Sequence, residues 1–456
     1  MIITIILGLI GLGLVIFIHE LGHFVMAKSV KIDVESFALG WGPKLVGFTK
    51  GKTEYKINIL PIGGYCRMKG EYEFKEAIEK KMAAFPYSEG SLFSVTPLKR
   101  LLTYAAGPFF NILFAIILFS IVWTIGYDTQ TFTNRIIIAN DYPAIYGESQ
   151  VLSPAELAGL QSGDTIISID DSPINSFADI QSTLIDQADK ELTIIFEHEG
   201  KTISSTLIPE LNKKTGAGVM GIAPWIAPVI ESIPETSMLI ASDLIPGDLI
   251  LAIDETSIHS VIDIYNYISL NNSKEHLYTI LRDGEQKTIT VLSEYDTNGH
   301  PVFNAIFPLL IVSTPDYPPL QSLGKGISET FSTFGLAFHS IALLFQGLDL
   351  KESMAGPIKI TYLVGTATSQ SFSEGFLVGI TTVFRLLGFI SVALCFANLL
   401  PIPALDGGQM IVSVTEMILH RGFSPQNYYR LQLIGFGILI TIMILTLFND
   451  ISFFMG

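Results

Sequence analysis

The sequence predicts an α-helical polytopic membrane protein with four transmembrane helices and a tandem pair of small α+β domains on its outer side. Three observations carry that prediction. The 456 residues are 49% hydrophobic and only 15% charged, with a mean hydropathy of +0.48, which is too apolar for an ordinary soluble protein of this size. Four runs, Met1–Ile18, Leu101–Tyr127, Leu386–Leu405 and Leu431–Asn449, contain no charged residue and approach or exceed the ~20 residues that cross a hydrocarbon core. Finally, residues 159–180 align without a gap on 243–264, with 10 of 22 identities.

Taken in order, residues 1–27 form the first span. The run lacks a basic flank and a small-residue cleavage site, and it leads directly into His19 and His23, so it reads as a retained helix and not a cleaved leader. Residues 28–100 form a loop with 13 Lys+Arg against 8 Asp+Glu, whereas 126–375 has 11 against 31. By the positive-inside rule the first loop is cytoplasmic, and the N-terminus and the acidic segment lie outside. The formal net charge of −16 is then that of a solvated exterior domain, and it argues against nucleic acid as a partner. Cys66 in the loop and Cys395 in a span are the two cysteines, so the outer segment has no disulfide framework. The second span, 101–127, leads out to that segment. Beyond it, Thr330–Leu348 is apolar but broken by Ser332, Thr333, His339, Ser340 and Gln346. It is either a further span or an interfacial helix of a 320–384 connector. Spans at 386–405 and 431–449 complete the chain.

Each repeat copy runs from a turn, Gly163-Asp164 or Gly247-Asp248, into a short β-branched strand, an acidic pair, and a helix opening near Asp179 or Asp263. The copies are assigned to 131–212 and 216–310. Their AGLQSGDTIISID pattern resembles PDZ domains of the bacterial protease type, which add an extended peptide to a sheet edge. Gly218–Pro224 is a candidate backbone-donating loop of the second copy. A rigid spacer or steric gate without a peptide ligand is the alternative.

The stretch FIHELGHFV, residues 17–25, carries two histidines and a glutamate at the end of a charge-free run. On a helix His19 and His23 share one face, about 6 Å apart along the axis, where both can reach one metal ion. Glu20 beside them is the residue that activates water in H-E-x-x-H zinc peptidases. Structural histidines bonded to neighbouring helices are the competing explanation, disfavoured by the cost of polar groups in a bilayer. A catalytic zinc needs a third protein ligand. The other six histidines lie outside the confident spans, so the best candidate is Asp406 in NLLPIPALDGGQM, residues 398–410. Pro401 and Pro403 break the helix there and Gly407-Gly408 permit a tight turn, so Asp406 can point into the bundle; a helix-capping aspartate is the alternative. With four spans, His19, His23 and Asp406 reach similar depth near the cytoplasmic side. That parity favours the interfacial placement of Thr330–Leu348.

HELGH in the first span, GPFFN (Gly107, Pro108, Asn111) in the second, the paired PDZ-like copies and NLLPIPALDGG near the C-terminus together resemble the site-2 protease family, in particular intramembrane zinc metalloproteases of the regulator-of-sigma-E type. The resemblance covers essentially the whole chain. It implies one Zn2+ per chain held by His19, His23 and Asp406, with Glu20 as general base, and Asn398 helping to hold the substrate or developing oxyanion, with Pro401 and Pro403 in the same motif. Gln409 stands where many relatives carry histidine. The alternating stretch Thr53–Leu60, followed by Gly63 and Gly64, is similar to a membrane-associated β-loop that pairs with substrate; a plain cytoplasmic hairpin is the other reading. Gly40-Trp41-Gly42-Pro43 reads as a tight turn with an interfacial aromatic. Asn111 is either a helix-to-helix hydrogen-bonding residue or part of the chemistry.

The implied activity is regulated intramembrane proteolysis in the bacterial cytoplasmic (inner) membrane. The substrates would be single-pass proteins, such as anti-sigma factors already cut outside in a stress response, or remnant signal peptides. The PDZ pair would exclude bulky ectodomains or bind peptide C-termini. A catalytically inactive membrane-tethered PDZ scaffold that recruits another protease is the alternative. A metal transporter would require more ligands along a path than the sequence offers.

Overall fold

The computed structural model describes residues 2–213, 215–271, 273–296, 300–344 and 356–455. The chain divides into a membrane unit, Met1–Tyr127 with Thr314–Gly456, and an inserted unit, Asp128–Ser313. Among the described residues four helices are long and apolar enough to cross a membrane: Ile6–Ser29, Pro97–Ile125, Phe376–Leu399 and Pro425–Phe453.

Helix α1, Ile2–Ser29, has no charged residue before Glu20, and a helix is the form in which such a run satisfies its own backbone in lipid. Its end is fastened by Lys28, whose Nζ donates to Thr53 Oγ1 at 2.6 Å, while that hydroxyl donates to the Val34 carbonyl at 2.7 Å. Strands β1, Val34–Lys50, and β2, Thr53–Met68, follow. Phe37 pairs with both Tyr55 and Cys66, and Phe48 also pairs with Tyr55. The two strands therefore fold over into four segments, in the order 44–50, 53–58, 34–39, 64–68. Gly40 and Gly42, at φ of 81° and 88°, interrupt β1, and Gly63 at 70° bends β2. Gly40-Trp41-Gly42-Pro43 is thus a kink inside a strand and not a turn between elements, while the chain reverses at Gly51, φ 63°. Phe37 packs against Phe17 and Phe24 of α1, with ring centroids 5.3 and 4.7 Å away, and this sets the sheet against the helix.

Helix α2, Pro97–Ile125, buries one face through Arg100, Thr103, Gly107, Asn111, Ala115, Leu118 and Val122. It crosses α1 closely: a Cβ on Gly22 would collide with the Ala106 carbonyl, so a small residue is required there.

The inserted unit holds two copies of one pattern. The first has β3 (Ile136–Ile138), β4 (Thr165–Ile169), α3 (Phe177–Leu184), β5 (Leu192–His198), β6 (Lys201–Leu207) and β7 (Ile222–Pro224); the second has β8 (Leu249–Ile253), α4 (Val261–Leu270), β9 (Glu275–Arg282) and β10 (Glu285–Leu292). β4-β5-β6 and β8-β9-β10 have the same order, each flanked by a two-residue strand. The duplication extends to single bonds. Ile136 and Ile230 donate their amides to Asp164 and Asp248 carbonyls at 2.9 Å, and accept from Gly163 and Gly247 at 2.8 Å. Asp170 and Asp254 both sit in the left-handed region, φ 49° and 51°, and accept from Thr193 and Leu277 amides. Ser176 and Ser260 open α3 and α4 with capping boxes closed by Asp179 and Asp263.

One assignment changes. Gly218–Pro224 belongs to the first copy and not the second: β7 pairs with β3, and Met220 is 1% exposed in a core with Ile136, Ile166 and Phe196. The second copy has its own equivalent, where Phe303 is buried with Tyr278 and Ile280 and the Ile306 amide donates to Ser232.

Among the described residues five helices complete the membrane unit: α5, Pro319–Leu344, α6, Pro357–Glu374, α7, Phe376–Leu399, α8, Asp406–Leu419, and α9, Pro425–Met455. α5 packs along α2 and α7, with Thr330 buried and Phe334 against Ala115, Phe119 and Val392; residues 345–348 of the apolar run lie outside those described. Asp450 of α9 accepts the amides of Gly356, Ile358 and Lys359, satisfying the open N-terminus of α6. The third span ends at Leu399, six residues before the charge-free run does, because Pro401 and Pro403 cannot continue the helix.

Asp248 is fully buried in the inserted unit, held by Arg282 through two bonds of 2.7 Å and by the Ile245 amide at 2.9 Å. Burial opposes its ionisation, but the Arg282 guanidinium and the amide outweigh it and hold the carboxyl below the usual range. A depressed folded pKa contributes stability above the unfolded value of about 3.9, and that stability is lost as pH falls through the folded value. Asp248→Asn should therefore lower the temperature at which residues 128–313 of the full chain become protease-sensitive at pH 7, and the gap from wild type should close below about pH 4.

Candidate metal centre

Two helices deliver the candidate ligands. α1 carries His19 and His23 on one face, 5% and 6% exposed. After α7 the backbone turns extended at Leu400, with φ −59° and ψ 145°, and short bonds from Ile402 to Leu400 and from Leu405 to Ile402 carry the chain back to Asp406, the first residue of α8. Leu405, not Asp406, is the N-cap, and it makes no side-chain cap bond. The Asp406 carboxylate is not used for capping.

Gly407 and Gly408 are helical, not in the positive-φ turn their sequence suggests. Their role is steric: a Cβ on either would collide with the carbonyls of Leu399, Leu400 or Ile402, so only glycine lets the 400–405 loop lie on the first turn of α8. Gln409 holds the loop from the same helix, donating to the Pro403 carbonyl and accepting from the Tyr428 hydroxyl. A buried ion pair, Arg100–Glu416, ties α8 to α2, and Glu416 also accepts the Phe423 amide.

These elements bring three candidate ligand atoms together. His19 Nε2 lies 3.0 Å and His23 Nε2 3.4 Å from Asp406 Oδ2, and the two nitrogens are 3.1 Å apart. Oδ2 is buried and accepts no hydrogen bond, although both rings are this close. Donors about 2.0–2.1 Å from a tetrahedral zinc are roughly 3.3 Å from one another, so this nearly equilateral triangle fits one such ion. His23 Nδ1 is 2.8 Å from the Thr103 carbonyl. A carbonyl can only accept, so the proton sits on Nδ1 and Nε2 presents its lone pair. His19 Nδ1 is 3.2 Å from the Asn111 side-chain amide. Gly107 makes room for both rings: a Cβ there would be 2.5 Å from His23 Nε2 and 2.8 Å from His19 Cε1.

Glu20 is half-buried beside the cluster, and its Oε2 accepts the Cys66 amide at 2.9 Å. That amide belongs to 64–68, an edge segment of the sheet. Gly64 pairs with Leu39 in the same segment, and Gly63 rests against Ile16 of α1, one turn before Glu20. An apolar groove of ≈ 320 Å³ lies between α1 and the sheet, lined by Phe17, Phe37, Leu39, Phe48 and Ile57. Asn398 is half-buried and donates to the Leu394 carbonyl of its own helix at 3.1 Å; Pro401 is exposed and Pro403 half-buried. Of the remaining histidines, His198, His276 and His300 pair with aspartates in the inserted unit.

Four membrane-length helices around an H-E-x-x-H pair and a distant carboxylate define a class, the membrane-embedded metallopeptidases. The model of peptidase family M50 matches residues 7–442. The chain is 34% identical over 451 residues to a protein of Treponema pallidum named a zinc metalloprotease, covering 99% of both chains. Similarly named proteins of Borreliella burgdorferi and Clostridium acetobutylicum are 27% and 24% identical, with at least 98% of each chain covered. The chain belongs to peptidase family M50, the site-2 protease family, and is a zinc-dependent metalloprotease of the membrane.

Gly107→Ala should push the two imidazoles apart. The expected result is loss of bound zinc and a fall in proteolysis of about 100-fold or more, read by metal analysis and by cleavage of a membrane substrate. A fully active alanine variant would contradict the geometry.

Proposed function

We propose that the protein is an intramembrane endopeptidase that hydrolyses a peptide bond within or beside the transmembrane segment of a single-pass protein. In this reading His19, His23 and Asp406 hold the zinc and Glu20 is the general base. The observation that carries it is the convergence of two imidazole nitrogens and an unbonded carboxylate oxygen inside an apolar bundle. Bound there, zinc would polarise a carbonyl and lower the pKa of a water towards about 7. Glu20 takes the proton of the attacking water. Its Oε2 is held by the Cys66 amide, so Oε1 receives the proton and later returns it to the leaving amine.

A helical substrate must be unwound and its amides given new partners. The edge segment 64–68 supports this role, because it carries free strand valence within one residue's reach of Glu20, with Gly63 and Gly64 allowing close approach. The apolar groove between α1 and segments 34–39, 44–50 and 53–58 of the same sheet suits a substrate side chain. Asn398, Pro401 and Pro403 lead to Asp406 and would line the other side of the bound strand. Substrates would be anti-sigma-factor-like proteins already cut outside, or remnant signal peptides. The excess of Lys and Arg in 28–100 supports a cytoplasmic-side active site in a bacterial inner membrane, with the inserted unit outside. There the two copies, PDZ-like by their sequence pattern, would screen out bulky ectodomains or take peptide C-termini. A scaffold without chemistry has nothing in its favour, since every residue of the proposed set is present.

Cleavage of a model single-span substrate in detergent tests the reading. Glu20→Gln should keep its zinc and lose about 100-fold or more of the rate, whereas Asp406→Ala should lose the metal as well. A Glu20→Gln enzyme that cuts at the wild-type rate would sink the assignment.

A further inference from the structure

We infer that Asn111 is a positioning residue of the metal centre, with its side-chain oxygen facing His19 so that the proton stays on Nδ1 and Nε2 is aimed at the metal. The inference rests on His19 being a ligand. Asn111 is fully buried in α2. Its Nδ2 lies 3.2 Å from His19 Nδ1, and its Oδ1 is buried with no hydrogen-bond partner. With the NH2 group towards Nδ1, that nitrogen would have to be bare and the ring proton would sit on Nε2. Nε2 is the atom 3.0 Å from Asp406 Oδ2 and 3.1 Å from His23 Nε2, and a protonated nitrogen has no lone pair for a metal. A half-turn of the amide removes both conflicts: Oδ1 accepts from Nδ1–H, and Nε2 turns its lone pair to the point it shares with His23 Nε2 and Asp406 Oδ2, where a metal would be held.

The rest of α2 is arranged for the same task. Thr103, Gly107 and Asn111 recur every four residues and share one face. The Thr103 carbonyl orients His23, Gly107 clears space for both rings, and Asn111 orients His19. The Asn111 backbone carbonyl accepts from Ser391 Oγ of α7 at 2.9 Å, which fixes α2 against the helix leading to Asp406. One helix thus supplies the outer bonds for both histidines while contributing no ligand itself.

The test separates an acceptor from a donor. Zinc affinity is measured by chelator competition on full-length protein in detergent for wild type, Asn111→Asp, Asn111→Leu and Asn111→Ala. Aspartate can only accept, so it should hold zinc within a few-fold of wild type, while leucine and alanine should weaken it about 10–100-fold. Alanine covers the case in which leucine does not fold. A helix-packing role alone would not make aspartate the best replacement. Aspartate weakening zinc as much as leucine, or alanine leaving the affinity unchanged, would overturn the inference. A folded wild type that binds no zinc would instead overturn the ligand assignment beneath it.

Discussion

Two imidazole nitrogens and a carboxylate oxygen, the candidate ligand atoms, lie within 3.4 Å of one another inside an apolar bundle, and most of the membrane unit is arranged to keep them there. Buried lone pairs without partners are costly, so they stay together only where the surrounding helices leave them no alternative. Close approach is achieved by leaving atoms out. Gly22 brings α1 onto α2, Gly107 admits the histidine rings, and Gly407 with Gly408 lets the loop ending in Asp406 lie on α8. Polar tethers then fix what the glycines allow, through Gln409 to the loop and Arg100–Glu416 between helices.

In the proposed function the β-sheet extends the same logic to the substrate. A peptidase in lipid faces a target whose amides are already bonded within a helix, and a sheet edge is the protein surface that can replace those bonds. The Cys66 amide links the two halves of the problem, because it leaves the edge of the sheet and ends on Glu20. Packing of Phe37 against Phe17 and Phe24 holds the sheet against the helix carrying the histidines.

What could be read from sequence was local. His19, Glu20 and His23 lie within five residues, and Asp406 follows a charge-free run broken by Pro401 and Pro403, so spacing and the helix break pointed to them. The duplication was readable because Gly163-Asp164 and Gly247-Asp248 recur with the same acidic pair. Other features lacked such signals. Strand β1 was hidden because Gly40 and Gly42 break its alternation. Gly218–Pro224 reads from sequence as part of the second copy, which it precedes, because its true partner strand, Ile136–Ile138, is some 80 residues earlier. The work of Gly107, Gly407 and Gly408 is an absence of atoms, which only the packing reveals. Arg100–Glu416 joins residues 316 apart, and no pattern in the chain pairs them. Asn111 was noticed as polar among apolar neighbours, but its direction depends on the ring it faces.

The measurement that bears most directly on the centre is X-ray absorption at the zinc edge of the purified protein. The structure predicts a first shell of nitrogen and oxygen at about 2.0–2.1 Å, with the outer scattering of two imidazoles. A sulfur scatterer near 2.3 Å, which would implicate Cys66 or Cys395, or the signature of three imidazoles, would contradict a site made by His19, His23 and Asp406.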